Sequence, residues 1–213
     1  MADVFDYKKE YRNLYLPKAE PSKIKIPEII FAAVDGKGNP NDPGGEYQAA
    51  VGVLYGILWT IKMSKKGTSV PKGYFNYIVP PLEGLWWLDS GDDWSVKSKS
   101  KYCWISMIRL PEYVNKELFK WACEEAAKKK KIDTGKAYQY KFSEGLCVQC
   151  MHIGSYENEP ETLALMDDYI NKNDLIKDIG SKRRHHEIYL SDPRKISPEK
   201  MKTVLRVPVR IKQ

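Results

Sequence analysis

The chain has 213 residues, and its 35 basic and 28 acidic residues give it a net charge of +7. With 5 Phe, 6 Trp and 14 Tyr it is too rich in aromatic residues for a disordered chain, and no stretch reaches the roughly 20 apolar residues that a membrane-spanning helix needs. The charge alone suggests a nucleic-acid partner, but a solvated surface rich in lysine explains it better. We therefore expect neither a nucleic-acid nor a membrane partner.

The first residues and the four cysteines bear on the cellular compartment. The segment MADVFDYKKEYRN has no apolar stretch of the kind found in signal peptides. Four cysteines are too few for a disulfide scaffold of this length. We therefore expect a cytoplasmic protein with reduced thiols.

The first half of the chain predicts a short helix, then a strand, a helix and two strands. Tyr7, Tyr11 and Tyr15 recur every four residues, so a short N-terminal helix should pack its tyrosines onto the main body. A strand from Ile24 to Val34 leads through the loop DGKGNPNDPGGE into a helix that ends in cations before Gly67. That helix carries one apolar stripe, formed by Tyr47, Val51, Leu54, Leu58 and Ile61. Two strands follow, in GYFNYIVPPLEGLWWL, which the two prolines should break, and in KYCWISMIRLP.

A helix over about residues 112–131 connects the two halves. Lys128 to Lys131 gather at its C-terminal end, where cations complement the helix dipole, and this explains them better than a nucleic-acid site does. Its buried edge is predicted to consist of Val114, Leu118, Trp121 and Ala122.

The second half repeats the order of the first. A strand in GLCVQCMHIG leads through a turn into an acid-led helix with Leu163, Met166 and Ile170 aligned, and strands follow in HHEIYL and MKTVLRVPVRI. We predict an α+β fold in which two strand–helix–strand–strand units, about 24–110 and 145–213, form one domain over residues 1–213. The units should be related by a pseudo-twofold axis and share an antiparallel sheet, with helices on one side and a ligand groove between the units.

The cysteines and histidines are weak candidates for chemistry. Cys147 and Cys150 should face opposite sides of a strand, and no second CxxC completes a metal site, so we predict small buried residues and no metal. Cys150 and His152 share a strand face, but no third group orients them as a nucleophile pair needs. His185 and His186 beside the basic residues 182–184 are interpreted as cationic surface.

Glu187 is the candidate catalytic residue. In the strand HHEIYL, His185, Glu187 and Tyr189 share one face. If the other face packs against the helices, Glu187 points to solvent; if its own face lines the groove, a carboxylate lies among aromatic rings. A buried carboxylate needs a partner, so the second arrangement would favour a cationic ligand, a bound water or a neutral carboxyl group.

Trp86 and Trp87 follow Gly84 in LEGLWW. Neighbours on a strand face opposite ways, so one should face the groove and the other should pack elsewhere, although plain core packing explains both. An aromatic pocket with a carboxylate suits flat, partly cationic organic molecules. The chain contains no P-loop, GxGxxG, GxSxG or HExxH motif, and we predict no cofactor.

Several segments together resemble the GyrI-like family of small-molecule-binding domains, which also occurs fused to multidrug-responsive transcription regulators. They are GYFNYIVPPLEGLWW, HIGSYENEPETL and HHEIYLSDPRK with the terminal TVLRVPV. Family members consist of two strand–helix–strand–strand units. No helix-turn-helix segment is visible here, so the chain resembles the stand-alone type.

The resemblance implies a xenobiotic ligand held in a groove by aromatic side chains and a glutamate. Glu187 matches the family's pocket glutamate, and Tyr156 in HIGSY matches an aromatic position near the groove; Tyr189 would add to the walls. The LWW segment resembles a subfamily, the cyclopropanoid cyclopropyl hydrolases, whose members open the cyclopropane ring of DNA-alkylating natural products. Trp86 or Trp87 would then sandwich the substrate with Tyr156 while Glu187 acts as general base.

Two other functions are compatible with the same residues. The protein could bind planar cations without catalysis, as a multidrug-binding or effector-binding module. It could also inhibit a protein partner such as DNA gyrase, which only the family name suggests. Incubation with a cyclopropane-containing alkylator separates the first of these from an enzyme, and a gyrase supercoiling assay tests the second.

Overall fold

A computed structural model describes residues 4–66, 70–90 and 99–212. The helices are α1 (Tyr7–Glu10), α2 (Arg12–Tyr15), α3 (Glu46–Met63), α4 (Lys116–Lys130) and α5 (Glu159–Lys172). The strands are β1 (Ser22–Lys37), β2 (Leu82–Leu88), β3 (Tyr102–Arg109), β4 (Tyr138–Ile153), β5 (Leu175–Lys177), β6 (His185–Tyr189) and β7 (Lys202–Ile211). Short 3-10 turns lie at Ser64–Lys66, Lys99–Lys101, Tyr156–Asn158 and Pro198–Lys200.

The strands form one antiparallel sheet that closes on itself. The order is β4-β1-β3-β2-β6-β7-β5, and β7 also pairs with β4. Within the first unit β1 pairs with β3 and β3 with β2; within the second, β4 pairs with β7 and β7 with β6. The units join through β1–β4 and β2–β6, which is the pairing pattern of a pseudo-twofold axis. The predicted α+β fold is therefore confirmed, and the second unit has one additional short strand, β5.

The two faces of the closed sheet have separate cores. On the outer face α3 covers the first unit through Leu54, Leu58 and Ile61, which are fully buried, and α4 packs against α3. The face of α5 that carries Met166 and Ile170 covers the second unit. Inside the closed sheet, aliphatic and aromatic residues of β1–β4, β6 and β7 pack against the N-terminal segment, including Tyr7, Leu14 and Tyr15.

A buried ionic network lies inside the sheet. His186 Nδ1 is 3.1 Å from both Glu144 oxygens and its Nε2 is 3.0 Å from Glu83 Oε2. Arg206 lies 3.5 Å from Glu144 Oε2 and donates to the carbonyl oxygen of Leu14. Burial lowers the pKa of His186, but Glu144 and Glu83 outweigh it and raise the pKa to about 9. The interpretation of His186 as cationic surface was wrong, because its side chain is 1% exposed.

Several predicted elements differ from the observed ones in detail. The N-terminal helix is two separate turns, although Tyr7 and Tyr15 are buried as expected. β4 begins at Tyr138, before the start of the second predicted unit, and bends where Gly145 has a φ of 76°. Gly67, predicted to follow the end of α3, is outside the described residues.

The buried edge of α4 was predicted in part, because Val114 and Ala122 are buried as expected. Trp121 is 39% exposed, and Leu118 is half-buried. Phe119 and Ala126 are buried in place of these two, and with Ala122 they pack into the core that α4 shares with α3. None of the described helices is long and apolar enough to span a membrane.

Candidate functional site

The outer face of the β2–β6 pair carries the candidate site, which is bordered by Tyr47 of α3 and by Tyr156 just before α5; we call this face the groove. Gly84 lies opposite Glu187, Trp86 lies opposite His185, and Leu82 lies opposite Tyr189. Because alternate residues of a strand face the same side, His185, Glu187 and Tyr189 all point into this groove. The predicted shared face of these three residues is confirmed.

A chain of hydrogen bonds holds the carboxylate. Trp86 Nε1 donates to the Tyr189 hydroxyl at 2.8 Å, and that hydroxyl donates to Glu187 Oε2 at 2.7 Å. His185 Nε2 lies 3.1 Å from Glu187 Oε1. We call these four residues the Glu187 cluster. Glu187 is 5% exposed, and these contacts supply the polar partners that a buried carboxylate requires.

Three tyrosines form an aromatic wall around the cluster. The rings of Tyr47 and Tyr102 lie 5.4 and 5.7 Å from Trp86 between centroids. Tyr156 meets the ring of Tyr189 edge-on at 6.0 Å. Tyr156 is 37% exposed and is thus the outermost ring of the wall.

Gly84 allows the close approach of the groups in the cluster. A Cβ atom at this position would lie 2.6 Å from Trp86 Nε1 and 3.1 Å from the Tyr189 hydroxyl. Any side chain here would therefore push apart the two partners of a hydrogen bond. The space that a side chain of residue 84 would fill, opposite Glu187, is taken up by the Trp86 indole and the Tyr189 hydroxyl.

The electrostatics keep the tyrosines of the site protonated. Burial, followed by the charges of Glu187 and Glu159, raises the pKa of Tyr102 and of Tyr156 to about 12. Burial and Glu187 also raise the pKa of Tyr47 and of Tyr189. These hydroxyl groups therefore stay protonated at neutral pH and can donate hydrogen bonds.

Glu159 is a second carboxyl group of this site. It is the first residue of α5, and its side chain is 2% exposed. Its Oε1 atom has no hydrogen-bond partner within the described part of the chain. Burial and then the charge of Glu187 raise the pKa of Glu159 well above its usual value.

The structure brings together most of the predicted site residues. Trp86, Glu187 and Tyr189 form the hydrogen-bonded chain, and Tyr156 stands beside them. Trp87 lies on the other face of β2, where Arg184 stacks on its ring at 4.6 Å. There it lines a separate surface depression of about 420 Å³ with Asp35, Asp89 and Cys103. Of the two tryptophans, Trp86 is the one that faces the groove.

The remaining cysteine and histidine candidates are placed elsewhere or differently. His185 is 3% exposed, so its interpretation as cationic surface was wrong. Both ring nitrogens of His152 lie within 2.9 Å of oxygens of Thr162 and Ser155, so His152 forms no pair with Cys150. Cys147 packs inside the closed sheet and Cys150 outside it, as strand alternation predicts. Among the described residues, no three His, Cys, Asp or Glu side chains are grouped as a metal site.

Two residues of the site were not recognised from the sequence. Glu159 was noted only as part of an acidic helix start, and Tyr47 only as part of the apolar stripe of α3. The repeat of the two units contained a signal for Glu159, because each unit's main helix begins with a glutamate, Glu46 and Glu159. Glu46 forms a surface ion pair with Lys136, whereas Glu159 is buried.

A comparison with models of protein families shows to which family the chain belongs. A model described as the GyrI-like small molecule binding domain matches residues 19–210. The chain belongs to the GyrI-like family. The match extends over both strand–helix–strand–strand units and includes every residue of the Glu187 cluster.

Solved structures similar to this GyrI-like chain include three from Listeria innocua. One, an uncharacterized conserved protein, is 47% identical with a TM-score of 0.91, and the alignment covers 97% of this chain and 100% of that one. Two are described as hydrolases: both are 46% identical, with TM-scores of 0.87 and 0.89, and the alignments cover 97% and 98% of this chain and 100% of each of theirs.

More distant similarity shows the fold alone. The C-terminal domain of EcmrR is 12% identical with a TM-score of 0.53, over 90% of this GyrI-like chain and 98% of that domain. No curated protein matches the chain.

Proposed function

We propose that this GyrI-like protein binds flat aromatic small molecules at the Glu187 cluster and hydrolyses those that carry a strained cyclopropane ring. The observation that carries the proposal is a buried carboxylate, held by two hydrogen bonds, within a wall of aromatic rings. Two similar proteins from L. innocua that are described as hydrolases support a hydrolytic reaction. The biological role would be detoxification of DNA-alkylating compounds.

The aromatic side chains supply the binding surface. Trp86 presents a large ring whose orientation is fixed by Tyr47, Tyr102 and its own hydrogen bond to Tyr189. Tyr156 is the most exposed of these rings, so access of a ligand requires Tyr156 to turn away from Tyr189. The ligand would then lie between the rings of Trp86 and Tyr156, and its contacts with these rings would replace the contact between Tyr156 and Tyr189.

Glu187 would act as the general base. It accepts a proton from a water molecule as that water attacks a carbon atom of the three-membered ring. A carbon–oxygen bond forms and a strained carbon–carbon bond breaks, and the electron pair of the broken bond passes to an electron-withdrawing group of the ligand, which takes up a proton from solvent. The product is the ligand plus one water. Release of ring strain supplies part of the driving force. A positioned base of this kind contributes roughly 10²–10⁴-fold in rate.

Two neighbours would position that base. Tyr189 donates to one carboxylate oxygen and His185 lies at hydrogen-bond distance from the other, which fixes the rotation of the carboxylate. A catalytic group must be held in a narrow range of geometries to be effective. Tyr189 also accepts a hydrogen bond from Trp86, which is part of the binding surface. Binding surface and base are thus aligned by one hydrogen-bonded chain.

The substitution Glu187→Gln tests the base. It keeps the size of the side chain and removes its ability to accept a proton. Incubation with a cyclopropane-containing alkylator, followed by mass spectrometry of the hydrated product, should show turnover reduced by roughly 10²–10⁴-fold. Affinity for a neutral planar ligand, measured by calorimetry, should remain near that of the unchanged protein. Glu161→Gln on the exposed face of α5 is the matched control, and full turnover by Glu187→Gln would exclude Glu187 as the base.

Binding of planar cations without turnover is the second candidate. It is favoured by the same pairing of a negative charge with aromatic faces, since both attract cations. In that case the unchanged protein gives no hydrated product, and Glu187→Gln weakens binding of a cationic ligand while leaving its neutral isostere bound.

A further inference from the structure

The N-terminal segment, residues 4–18, precedes the matched family domain and yet fills the inside of its sheet. The family match begins at residue 19, and all the described strands begin after the segment. Tyr7, Leu14 and Tyr15 nevertheless belong to the core inside the closed sheet, and each is at most 4% exposed. The segment therefore occupies the interior of a sheet that is built by the rest of the chain.

The segment has little structure of its own. Its helices α1 and α2 are single turns of four residues, whereas an isolated helix shorter than roughly 12–15 residues is only marginally stable in water. It continues into β1 through a link that contains Pro17 and Pro21 and exposes residues 18–20. The Met151 N–H donates to the Lys18 carbonyl oxygen at 2.9 Å, where this link leaves the sheet. The segment is thus ordered by the surface that it contacts.

Two buried side chains of the inner face bind the backbone of the segment. Gln149 Nε2 donates to the Asn13 carbonyl oxygen at 2.8 Å. Arg206 Nη2 donates to the Leu14 carbonyl oxygen, and Arg206 Nε donates to Gln149 Oε1 at 3.3 Å. Both carbonyl groups belong to α2, and a helix of this length leaves its last carbonyl oxygens without partners of its own. The inner face therefore supplies the hydrogen bonds that the backbone of the segment lacks.

Charged side chains contact the tyrosines of the segment. The Tyr15 hydroxyl donates to Glu83 Oε1 at 3.3 Å, and the Tyr7 hydroxyl donates to Glu112 Oε2 at 2.6 Å. The guanidinium group of Arg109 lies over the ring of Tyr7 at 4.7 Å. A phenylalanine at either position would keep the ring and lose the hydrogen bond to the carboxylate. These contacts therefore distinguish tyrosine from phenylalanine.

We propose that the inner face of the closed sheet is a second binding site of this protein, which takes a tyrosine-bearing peptide and can exchange its own N-terminal segment for that of a second copy of the chain. The bonds to backbone carbonyl groups provide affinity, and the carboxylates that meet the two hydroxyl groups provide specificity. In the intact chain the link holds the segment at an effective concentration in the millimolar range, so its own segment occupies the site first. Exchange of an identical element between two copies preserves every one of these contacts. The proposal is independent of the reaction proposed for the Glu187 cluster.

Cleavage of the link tests the site while every residue of the protein is kept. A protease recognition sequence inserted between Ala19 and Glu20, which are both exposed, allows cleavage after folding. A fluorescent peptide of residues 1–18 then represents the segment of a second copy. We expect the cleaved protein to stay folded and to take up this peptide in exchange for its own segment, measured by fluorescence anisotropy.

The uncleaved protein with the same insertion is the control. At micromolar concentrations of the peptide it should take up at most roughly a tenth as much as the cleaved protein, because its tethered segment competes at a millimolar effective concentration. Equal uptake by the two forms would overturn the proposal, since the peptide would then be bound outside the interior of the sheet.

Variants of the peptide test recognition without altering the sheet. In competition with the fluorescent peptide, a peptide with Tyr15→Phe should bind roughly tenfold more weakly, because it lacks the hydroxyl that donates to the buried carboxylate of Glu83. Tyr11→Phe is the matched control. Within the described part of the chain the Tyr11 hydroxyl forms no hydrogen bond, and the ring stacks on Tyr7 at 5.9 Å, so this variant should compete like the unchanged peptide.

Two further results would overturn the proposal. If the cleaved protein takes up no peptide, whether its two pieces stay together or the larger piece unfolds, the segment is an inseparable part of the core. If the Tyr15→Phe peptide competes as well as the unchanged peptide, the inner face does not recognise the tyrosine.

Discussion

At the scale of single residues, the site depends on how closely its polar groups approach one another. Glu187 is buried, and hydrogen bonds to a charged group are each worth about 1.5–3 kcal/mol, so its two contacts with Tyr189 and His185 offset much of the cost of burial. The Tyr189 hydroxyl is at once an acceptor from Trp86 and a donor to Glu187. A shift of the Tyr189 hydroxyl would therefore disturb both Trp86 in the binding surface and the proposed base, Glu187.

The substitution Gly84→Ala tests that geometry without removing any polar group. The added Cβ atom would lie 2.6 Å from Trp86 Nε1, so the indole must move and its bond to Tyr189 is lost. Loss of one hydrogen bond worth about 1 kcal/mol should weaken binding of a planar ligand roughly fivefold. The crowding should lower the free energy of unfolding by about 1–3 kcal/mol.

Gly180→Ala is the control for this prediction. A methyl group added at Gly180 would meet no atom within 4 Å, and the residue lies in an exposed bend far from β2 along the chain. This variant should keep both affinity and stability, the latter to within about 0.5 kcal/mol. Unchanged ligand affinity in Gly84→Ala, measured by calorimetry, would show that the close approach at Gly84 does not matter for binding.

The sequence predicted the direction of a side chain correctly where alternation along a single strand is enough to determine it. Alternation along a strand placed His185, Glu187 and Tyr189 together and separated Trp86 from Trp87. It could not determine which tryptophan faces the groove, because that depends on which face of β2 the helices cover. Burial of His185 and Glu159 was missed for the same reason, since both are enclosed by elements distant in the sequence.

At the scale of elements, β6 separates two different environments. Its odd-numbered residues face the groove, and His186 faces the network inside the closed sheet. Burial would raise the pKa of Glu144, but His186 and Arg206 outweigh it and lower the pKa to about 2. The interior charges thus stabilise one another and fix the strand that carries Glu187.

The stability of the fold should therefore depend on pH through His186. Its pKa is raised from 6.5 in the unfolded chain to about 9 in the folded state. The stabilisation is complete below pH 6.5 and is lost as the pH rises through about 9. We expect the free energy of unfolding, measured with urea, to fall by on the order of 3 kcal/mol across this interval.

Two variants check the origin of that loss. His186→Gln removes the titrating proton and should flatten the dependence of the unfolding free energy on pH, at a lower overall stability. His152→Gln removes a buried histidine outside the network and should keep the slope. A slope that persists in His186→Gln would assign the pH dependence to other groups.

The order and type of the helices and strands were largely predictable from the sequence, whereas their buried edges and the residues at which they begin and end were less so. The order of strands and helices followed from periodicity and from turn residues. The buried edge of α4 did not, because Phe119 and Ala126 face α3 while Trp121, one residue before Ala122, faces solvent. The length of β4 depends on its pairing with β1, which no local pattern reveals.

At the scale of the whole molecule, the pseudo-twofold arrangement of the units places the candidate site at a junction between them. The β2–β6 pair lies at the junction of the units, so the groove receives residues from both. The two units contribute unequally: Gly84 of the first unit provides space, and Glu187 opposite it provides the charge. Glu159 turns inward whereas Glu46 pairs at the surface. A symmetric scaffold thus carries an asymmetric site.

A crystal structure with a bound ligand would decide whether the Glu187 cluster is the site of binding and reaction. Glu187→Gln should be crystallised with an unreacted cyclopropane-containing alkylator. We expect the ligand between Trp86 and Tyr156, with its strained carbon near the side chain of residue 187. A ligand bound in the depression beside Trp87, with Trp86 and Tyr156 unmoved, would contradict this assignment.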